Sequence, residues 1–385
     1  MILRNKHIVF LHKDFPLSGA EQVTMNVANY LCSRGYRVSI LVANHHSDKY
    51  NPTFTCMFSV VELPKCNIKY SKTLASAICN FIQKEHVDVL ITYREIFYAK
   101  WLKKQTNIKI VFELHNTPYY EFLDTADKRR ENCWLNLFYG SGVERLLHTF
   151  YRYKYRHIYG WCDAYGLLCE GYRQMLVTEL SLNPTSNKTW ILPNSIKPQS
   201  HIVEPKEKVV LYVGRLSHRD KRVDRLLRIW KKASPEMSEW RLQIVGDGKA
   251  ATHLKEMAEK MSLKNLSFEG RTNDVKRYYD QAAILCLTST FEGWPMSIAE
   301  AQSNGVVPVL FNSFAGATDL VSTEDEGVLV PPFDEDLFAR KLVSLANAPE
   351  RLRQMSEKVV TKSKKYNLER SGLAWETMLQ NLMKE

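Results

Sequence analysis

Ala283-Ile284-Leu285-Cys286-Leu287-Thr288-Ser289-Thr290-Phe291-Glu292-Gly293-Trp294-Pro295-Met296-Ser297-Ile298-Ala299-Glu300-Ala301 reads as a buried strand, a short loop and the start of a helix. Pro295 is read as the first helical residue, where its missing N–H costs nothing, and Gly305 as the stop, giving a helix of about ten residues. The helix begins where the strand's carboxyl end releases the chain. Its opening amides lack partners one turn back, so they and the helix dipole favour an anion there.

The same strand-then-helix rhythm runs along the chain in both directions. Before it stand His7-Ile8-Val9-Phe10-Leu11, Arg37 to Val42, Asp88-Val89-Leu90-Ile91-Thr92 and Ile108-Lys109-Ile110-Val111-Phe112, then Val209 to Val213 and Leu242-Gln243-Ile244-Val245; after it comes Val307 to Phe311. Near-continuous apolar strands separated by helical stretches indicate parallel sheets covered on both faces. The least regular stretch, Leu192 to Lys208, contains Pro193, Pro198 and Pro205, which disfavour helix interior and central strand alike. With the linker there, the chain is expected to form two doubly wound, Rossmann-like α/β domains, 1–197 and 198–365. Open α/β sheets take ligands beyond the carboxyl ends of their strands, so the two domains are expected to face a central cleft.

The 385 residues are enough for two cores of ordinary size, and 45% of them are hydrophobic. Eight cysteines are scattered without a CxxC pair, several inside apolar strands. That pattern fits buried thiols in a reducing cytosol better than a disulfide framework or a zinc site. The amino-terminal Met1 to His7 is too short and polar for a signal peptide, and no run of about 18 apolar residues appears. The expectation is a cytoplasmic protein, peripheral on the inner face of the membrane where it meets lipid. Net charge +11 calls for an anionic partner without saying which.

The candidate site residues sit at strand ends. A diphosphate seated on the Met296 and Ser297 amides places Glu300 about 7.5 Å further along the axis, a fitting offset for a ribose whose hydroxyls a carboxylate can accept. Glu292, just ahead of the helix, is placed on the sugar side. After Val213, the run Gly214-Arg215-Leu216-Ser217-His218-Arg219-Asp220-Lys221-Arg222 offers Arg215 and Lys221 as fixed cations for a leaving group that gains negative charge. Gly19, in the turn after the first strand, lets backbone approach a diphosphate, though on its own it reads equally as an ordinary loop glycine. His115 follows the strand ending at Leu114 and is a candidate partner for a transferred sugar or an incoming hydroxyl, with His12 a weaker one.

The turn at Gly19 does not complete GxGxxG, which disfavours a nicotinamide cofactor. Asp334-Glu335-Asp336 spells DxD, yet it opens an amphipathic helix and reads as an N-cap, and Glu324-Asp325-Glu326 reads as a turn. No metal ligands and no cofactor are assigned, because Arg215, Lys221 and the helix N-terminus already supply positive potential. The stretch 124–159 interleaves Lys128-Arg129-Arg130 and Tyr151-Arg152-Tyr153-Lys154-Tyr155-Arg156 with Trp134, Leu135, Leu137 and Phe138. It suits an anionic membrane surface or a lipid phosphate, and also a basic helix whose tyrosines pack on the core.

Gly214-Arg215-Leu216 with Lys221, Val245-Gly246-Asp247-Gly248, Phe268-Glu269-Gly270-Arg271 and the E-x(7)-E motif from Glu292 to Glu300 together resemble the retaining family-four glycosyltransferases of the GT-B fold. Ser18-Gly19-Ala20-Glu21, His115 and Leu192-Pro193-Asn194-Ser195 are similar to the family's segments in the first domain. The resemblance implies that Glu300 holds the ribose, Arg215 and Lys221 the diphosphate, and Glu292 with the Met296 and Ser297 amides the sugar hydroxyls. It places Gly246 at the donor, the base near Arg271, and His115 by the sugar's outer hydroxyl. The implied partners are a nucleotide-sugar donor, UDP first and GDP second, and a glycan or polyprenyl-linked acceptor in polysaccharide synthesis. It also implies that the last helix, 366–385, returns to the first domain. Asn116, where an Asp is usual, and Trp294, where Phe or Leu is usual, depart from the pattern. Two alternatives are a nucleotide-sugar epimerase of the same fold and a noncatalytic basic binding module. No nucleic-acid motif accompanies the charge, so no nucleic acid is expected.

Overall fold

The computed structural model describes residues 5–16, 19–46, 57–65, 68–122, 141–197, 199 and 201–384. The chain divides into two compact units: the first comprises 1–118, 141–195 and 368–385, the second 119–140 and 196–367.

The first unit opens with strand β1 (His7–Phe15), helix α1 (Gly19–Ser33), β2 (Arg37–His45) and β3 (Ser59–Glu62). There follow α2 (Lys72–Glu85), β4 (Val89–Thr92), α3 (Ala99–Thr106) and β5 (Lys109–Leu114). Next come α4 (Ser141–Trp161), β6 (Ala164–Leu167), α5 (Glu170–Leu180) and β7 (Thr189–Ile191). The strands form one parallel sheet in the order β3-β2-β1-β4-β5-β6-β7. Ile8 to Leu11 and Val89 to Ile91 are fully buried, because helices cover both faces of the sheet. That double cover is why the strands carry no polar alternation.

The second unit repeats the plan with β8 (Val209–Val213), α6 (Val223–Ala233), β9 (Arg241–Val245), α7 (Ala251–Lys260) and β10 (Leu266–Gly270). It continues through α8 (Lys276–Gln281), β11 (Ile284–Leu287), α9 (Met296–Ser303), β12 (Val307–Phe311), α10 (Gly316–Leu320) and β13 (Val328–Val330). Helices α11 (Glu335–Ala346) and α12 (Pro349–Ser363) close it. The strand order is β10-β9-β8-β11-β12-β13, again all parallel. Both sheets therefore reverse direction once: between β1 and β4 in the first unit, and between β8 and β11 in the second. This is the doubly wound Rossmann-type arrangement, and the reversal is where such sheets take ligands.

The last helix, α13 (Leu368–Leu382), belongs to the first unit. Its fully buried Trp375 lies 5.9 Å from the Phe10 ring of β1. Arg34 of α1 donates to Glu376 at 3.1 Å, and Ser371 Oγ donates to the Pro193 carbonyl at 2.6 Å.

Several local readings are refined. Helix α9 begins at Met296, and Pro295 is its cap with extended ψ of 107°; its carbonyl accepts the Ile298 N–H at 3.1 Å. The proline ring fixes φ only, so it serves as well just outside the helix as in its first turn. Gly19, read as part of the turn after the first strand, is the first residue of helix α1. Asp334 caps α11, accepting the Leu337 N–H at 2.8 Å. Its neighbours Glu335 and Asp336 are taken by Arg228 and Lys232. Of the stretch 124–159, residues 124–140, with Lys128 to Arg130 and Trp134, lie outside the described residues. In α4, Tyr155 and Ile158 are buried while Leu146, Phe150 and Tyr153 are exposed, so the tyrosines divide between core and surface.

Candidate active site

The carboxyl ends of β8 and β11, adjacent parallel strands, bring three of the sequence-chosen residues of the second unit together. Lys221, in the loop after β8, places Nζ 2.7 and 2.8 Å from the two carboxylate oxygens of Glu292, in the loop after β11. Ser289 Oγ donates to Glu292 Oε1 at 2.6 Å. The two loops are tied together: Thr290 N–H donates to the Asp220 carbonyl at 2.8 Å, and the Thr288 hydroxyl to the Arg222 carbonyl at 3.0 Å. Arg222 opens α6 from the left-handed region, at φ 46°.

Arg215 pairs with Asp220 at 2.8 Å, and Ser217 Oγ donates to the same carboxylate at 2.5 Å. Burial alone would raise the Asp220 pKa; the bonds from Ser217 and Arg215 and the charges of Arg215 and Lys221 hold it below the usual carboxylate range. The two cations read from sequence are thus each matched by a carboxylate, and the cluster Arg215, Asp220, Lys221, Glu292 is close to neutral. Arg215 is the more available of the two, with 69% of its side chain exposed against 18% for Lys221. Tyr212, buried beneath, donates to the Arg215 carbonyl at 3.0 Å; burial, then Glu292 and Asp220, push its hydroxyl pKa well up.

Met296 and Ser297 open α9 and are half-buried. Glu300, one turn on, accepts a hydrogen bond from the Tyr279 hydroxyl at 2.9 Å. Burial raises the Glu300 pKa, and the bond from Tyr279 opposes that only in part. Gly246, after β9, is fixed by packing: a Cβ there would stand 1.9 Å from the Gly214 carbonyl oxygen, and its φ is 139°. Its N–H donates to the Gly270 carbonyl at 2.8 Å, which brings the ends of β8, β9 and β10 side by side, with the exposed Arg271 next in the chain. Trp294 is buried and meets Tyr366 edge-on at 5.1 Å, so the larger ring is accounted for by packing within this unit.

In the first unit the switch point between β1 and β4 holds a second polar cluster. His12 of β1 is buried, with Nδ1 2.5 Å from the Tyr93 hydroxyl and Nε2 3.2 Å from Thr24 Oγ1. Burial first, then the charges of His115 and Arg94, lower the His12 pKa well below its ordinary value. His115, at the end of β5, lies 3.1 Å from Glu113 and edge-on to Tyr93 at 4.9 Å. Burial pulls its pKa down, but Glu113 and Glu21 outweigh that and raise it. Asn116 Oδ1 accepts the Thr117 N–H at 2.8 Å. Gly19 begins α1.

The sequence reading did not single out Asp220, Ser289, Tyr279, Tyr93 or Glu113. Glu113 had a signal, since it lies two residues before His115, the spacing that shares a face where a strand's extended course continues. The others arrive from separate loops and helices with no pattern of their own.

Two Rossmann-like units, each with its polar cluster at the strand reversal, are the architecture of the GT-B fold. The description Glycosyl transferases group 1 matches residues 194–361, and Glycosyltransferase Family 4 matches residues 17–200. The chain belongs to this glycosyltransferase family. It is 27% identical over 371 residues to an uncharacterized glycosyltransferase of Haemophilus influenzae, covering 94% of this chain and 96% of that protein. It is 25% identical to the GalNAc-alpha-(1->4)-GalNAc-alpha-(1->3)-diNAcBac-PP-undecaprenol alpha-1,4-N-acetyl-D-galactosaminyltransferase of Campylobacter jejuni, over 88% of this chain and 89% of the relative. Among solved structures, HepE of Anabaena in complex with UDP and glucose superposes with a TM-score of 0.76 at 15% identity, over 98% of this chain and all of that one. The apo lipopolysaccharide outer core galactosyltransferase WaaB superposes with a TM-score of 0.71 at 18% identity, covering 97% and 99%.

Proposed function

We propose that this glycosyltransferase takes its sugar from a nucleotide diphosphate donor, UDP before GDP, and passes it with retained configuration to a hydroxyl of a glycan or polyprenyl-linked acceptor in cell-surface polysaccharide synthesis. The observation that carries the reading is the Lys221–Glu292 pair at the β8/β11 reversal, immediately before α9. A diphosphate arriving at the Met296 and Ser297 amides meets Arg215 and Lys221. Lys221 then exchanges part of its hold on Glu292 for phosphate oxygen, which frees the carboxylate for sugar hydroxyls. Glu300 takes the ribose hydroxyls, with Arg271 and Gly246 bordering the nucleotide.

In the reaction the bond from the sugar C1 to the leaving phosphate oxygen breaks, and a bond from C1 to the acceptor oxygen forms on the same face. The acceptor's proton passes to the departing phosphate, so no protein nucleophile takes part. Charge on the leaving diphosphate grows as the bond breaks, and fixed cations count most at that point. No divalent metal is assigned a role, and transfer is expected to persist in EDTA. The C. jejuni relative is named for an undecaprenol-linked acceptor, which supports a lipid-linked acceptor here.

The same reading places the enzyme in the cytoplasm, peripheral on an anionic membrane face. Exposed Leu146, Phe150 and Tyr153 recur at helical spacing along α4, and Phe97 stacks on Tyr70 at 4.7 Å and near His157 at 6.1 Å. Exposed aromatic rings on a chain of net charge +11 suit an anionic bilayer interface. Among the described residues no helix is long and apolar enough to cross a membrane. The test of the whole reading is release of nucleotide from UDP- and GDP-sugars with and without a polyprenyl-diphosphate glycan acceptor. Acceptor-dependent release with an alpha-linked product is expected; epimerised donor with no acceptor requirement would replace the reading by an epimerase.

A further inference from the structure

Glu113 is the penultimate residue of β5 and His115 the first residue after it, and their side chains meet on one side of the chain. Glu113 Oε2 lies 3.1 Å from His115 Nε2, close enough for an ion pair though not aligned as a hydrogen bond; 2% of the carboxylate side chain is exposed, against 14% of the imidazole. Opposite Glu113 in the β5/β6 register is Gly166, where a Cβ would meet Glu113 Cγ at 3.4 Å and Leu192 Cδ1 at 2.6 Å. The absence of a side chain at 166 leaves room for Leu192 beside the Glu113 stem. A carboxylate so enclosed is costly to charge unless a cation faces it.

The other groups facing His115 are Tyr93 after β4, His12 of β1 and Glu21 of α1. Tyr93 spends its hydroxyl on His12 Nδ1, and Thr24 occupies His12 Nε2. His12 has hydrogen-bond partners at both ring nitrogens but lies 3.9 Å from Glu21, beyond a direct bond. The two neighbouring histidines are therefore shifted in opposite senses, His12 toward the neutral form and His115 toward the cation, the pattern that divides roles between like groups in a site.

Resting on the reading of His115 as a sugar-side residue, we propose that Glu113 is a positioning residue: its enclosed carboxylate faces the Nε2 edge of His115 and favours the imidazolium form, so that Nδ1 meets the sugar or the incoming hydroxyl as an N–H donor. In the neutral ring with its proton on Nε2, the nitrogen facing Glu113, Nδ1 is a lone pair and can only accept. The carboxylate thus decides which kind of hydrogen bond the substrate receives. Raising the pH through the His115 pKa withdraws the donor, and removing the charge at 113 brings that withdrawal to lower pH.

The experiment is an NMR titration of His115 in isotope-labelled protein, assigned with His115→Gln, for the wild type and Glu113→Gln. The wild-type ring is expected to titrate above the ordinary value of about 6.5, and the variant about one unit lower or more. The alkaline limb of the kcat/KM profile should move by the same amount, with affinity for UDP unchanged and partial restoration in Glu113→Asp. An unchanged His115 titration, or an unmoved alkaline limb, overturns the proposal. If Glu113→Gln does not fold, the wild-type titration decides alone, and a His115 pKa at or below the ordinary value rejects it. Failure of the underlying reading looks different: His115→Ala would then transfer sugar at wild-type kcat/KM.

Discussion

Lys221 reaches both carboxylate oxygens of Glu292, and does so across two loops separated by about seventy residues of chain, because β8 and β11 are neighbours at the sheet's reversal. The pair is largely withdrawn from water, with side-chain exposures of 18% and 8%. Breaking such a pair from one side leaves a charge stranded, whereas removing both charges leaves none.

Lys221→Ala is accordingly expected to lower Tm and to cost about 3 kcal/mol of transition-state stabilisation, roughly a hundredfold in turnover, by loss of one fixed electrostatic donor. Glu292→Gln should also abolish most turnover while disturbing the fold less, since the amide still accepts from Lys221 and Ser289. The double variant Lys221→Met with Glu292→Gln should regain much of the stability lost by Lys221→Ala and none of the activity. Thermal unfolding together with donor turnover separates the two effects; wild-type-like transfer by either single variant removes the pair from the reaction.

Glu300 offers a prediction with opposite signs for stability and function. Its native-state pKa is raised by burial, so the folded protein binds that proton more tightly than the unfolded chain does. Stability from this group is therefore present at low pH and is lost as pH rises from the ordinary carboxylate value through the raised one. Glu300→Gln removes the penalty, and its Tm at neutral pH should equal or exceed that of the wild type, the difference vanishing below about pH 4. Affinity for UDP should fall about tenfold or more at neutral pH, as charge-assisted bonds contribute about 1.5–3 kcal/mol each. Calorimetric titration with UDP and melting curves across pH check both arms; a variant both less stable and equal in UDP affinity contradicts the assignment.

What could be read in the chain follows from how local each signal is. The parallel sheets were legible because double coverage forces runs such as Val209 to Val213 to be apolar throughout. Helix α9 was legible because Pro295 and Gly305 punctuate it within a few residues. β3 and β7 were not, since Ser59–Glu62 and Thr189–Ile191 are short edge strands without a fully buried residue. Arg215 and Lys221 were found as cations, but their carboxylate partners arrive through tertiary contact, and Asp220 sits among basic residues that mask it. Gly246 was chosen for a ligand, whereas the approach of the Gly214 carbonyl is a sufficient reason for a residue without a side chain.

The final helix gives a prediction about stability. α13 comes last in the chain yet supplies the fully buried Trp375 to the core beneath β1, and Gly372 lies where a Cβ would stand 2.4 Å from the Tyr30 ring of α1. Glu369 accepts from the Tyr30 hydroxyl at 3.4 Å, and the buried Glu376 receives Arg34, so apolar contact and ion pairing act on the same seam. Trp375→Ala should cost about 3–5 kcal/mol, the usual range for an emptied tryptophan site. Gly372→Val should loosen the helix from α1 by steric clash with the core residue intact. Hydrogen exchange distinguishes a local event from global unfolding: for Gly372→Val, protection is expected to fall in α13, α1 and β1 while β8 and β11 of the second unit keep theirs. Uniform loss across both units, or no loss in β1, would mean that α13 is not integral to the first unit's core.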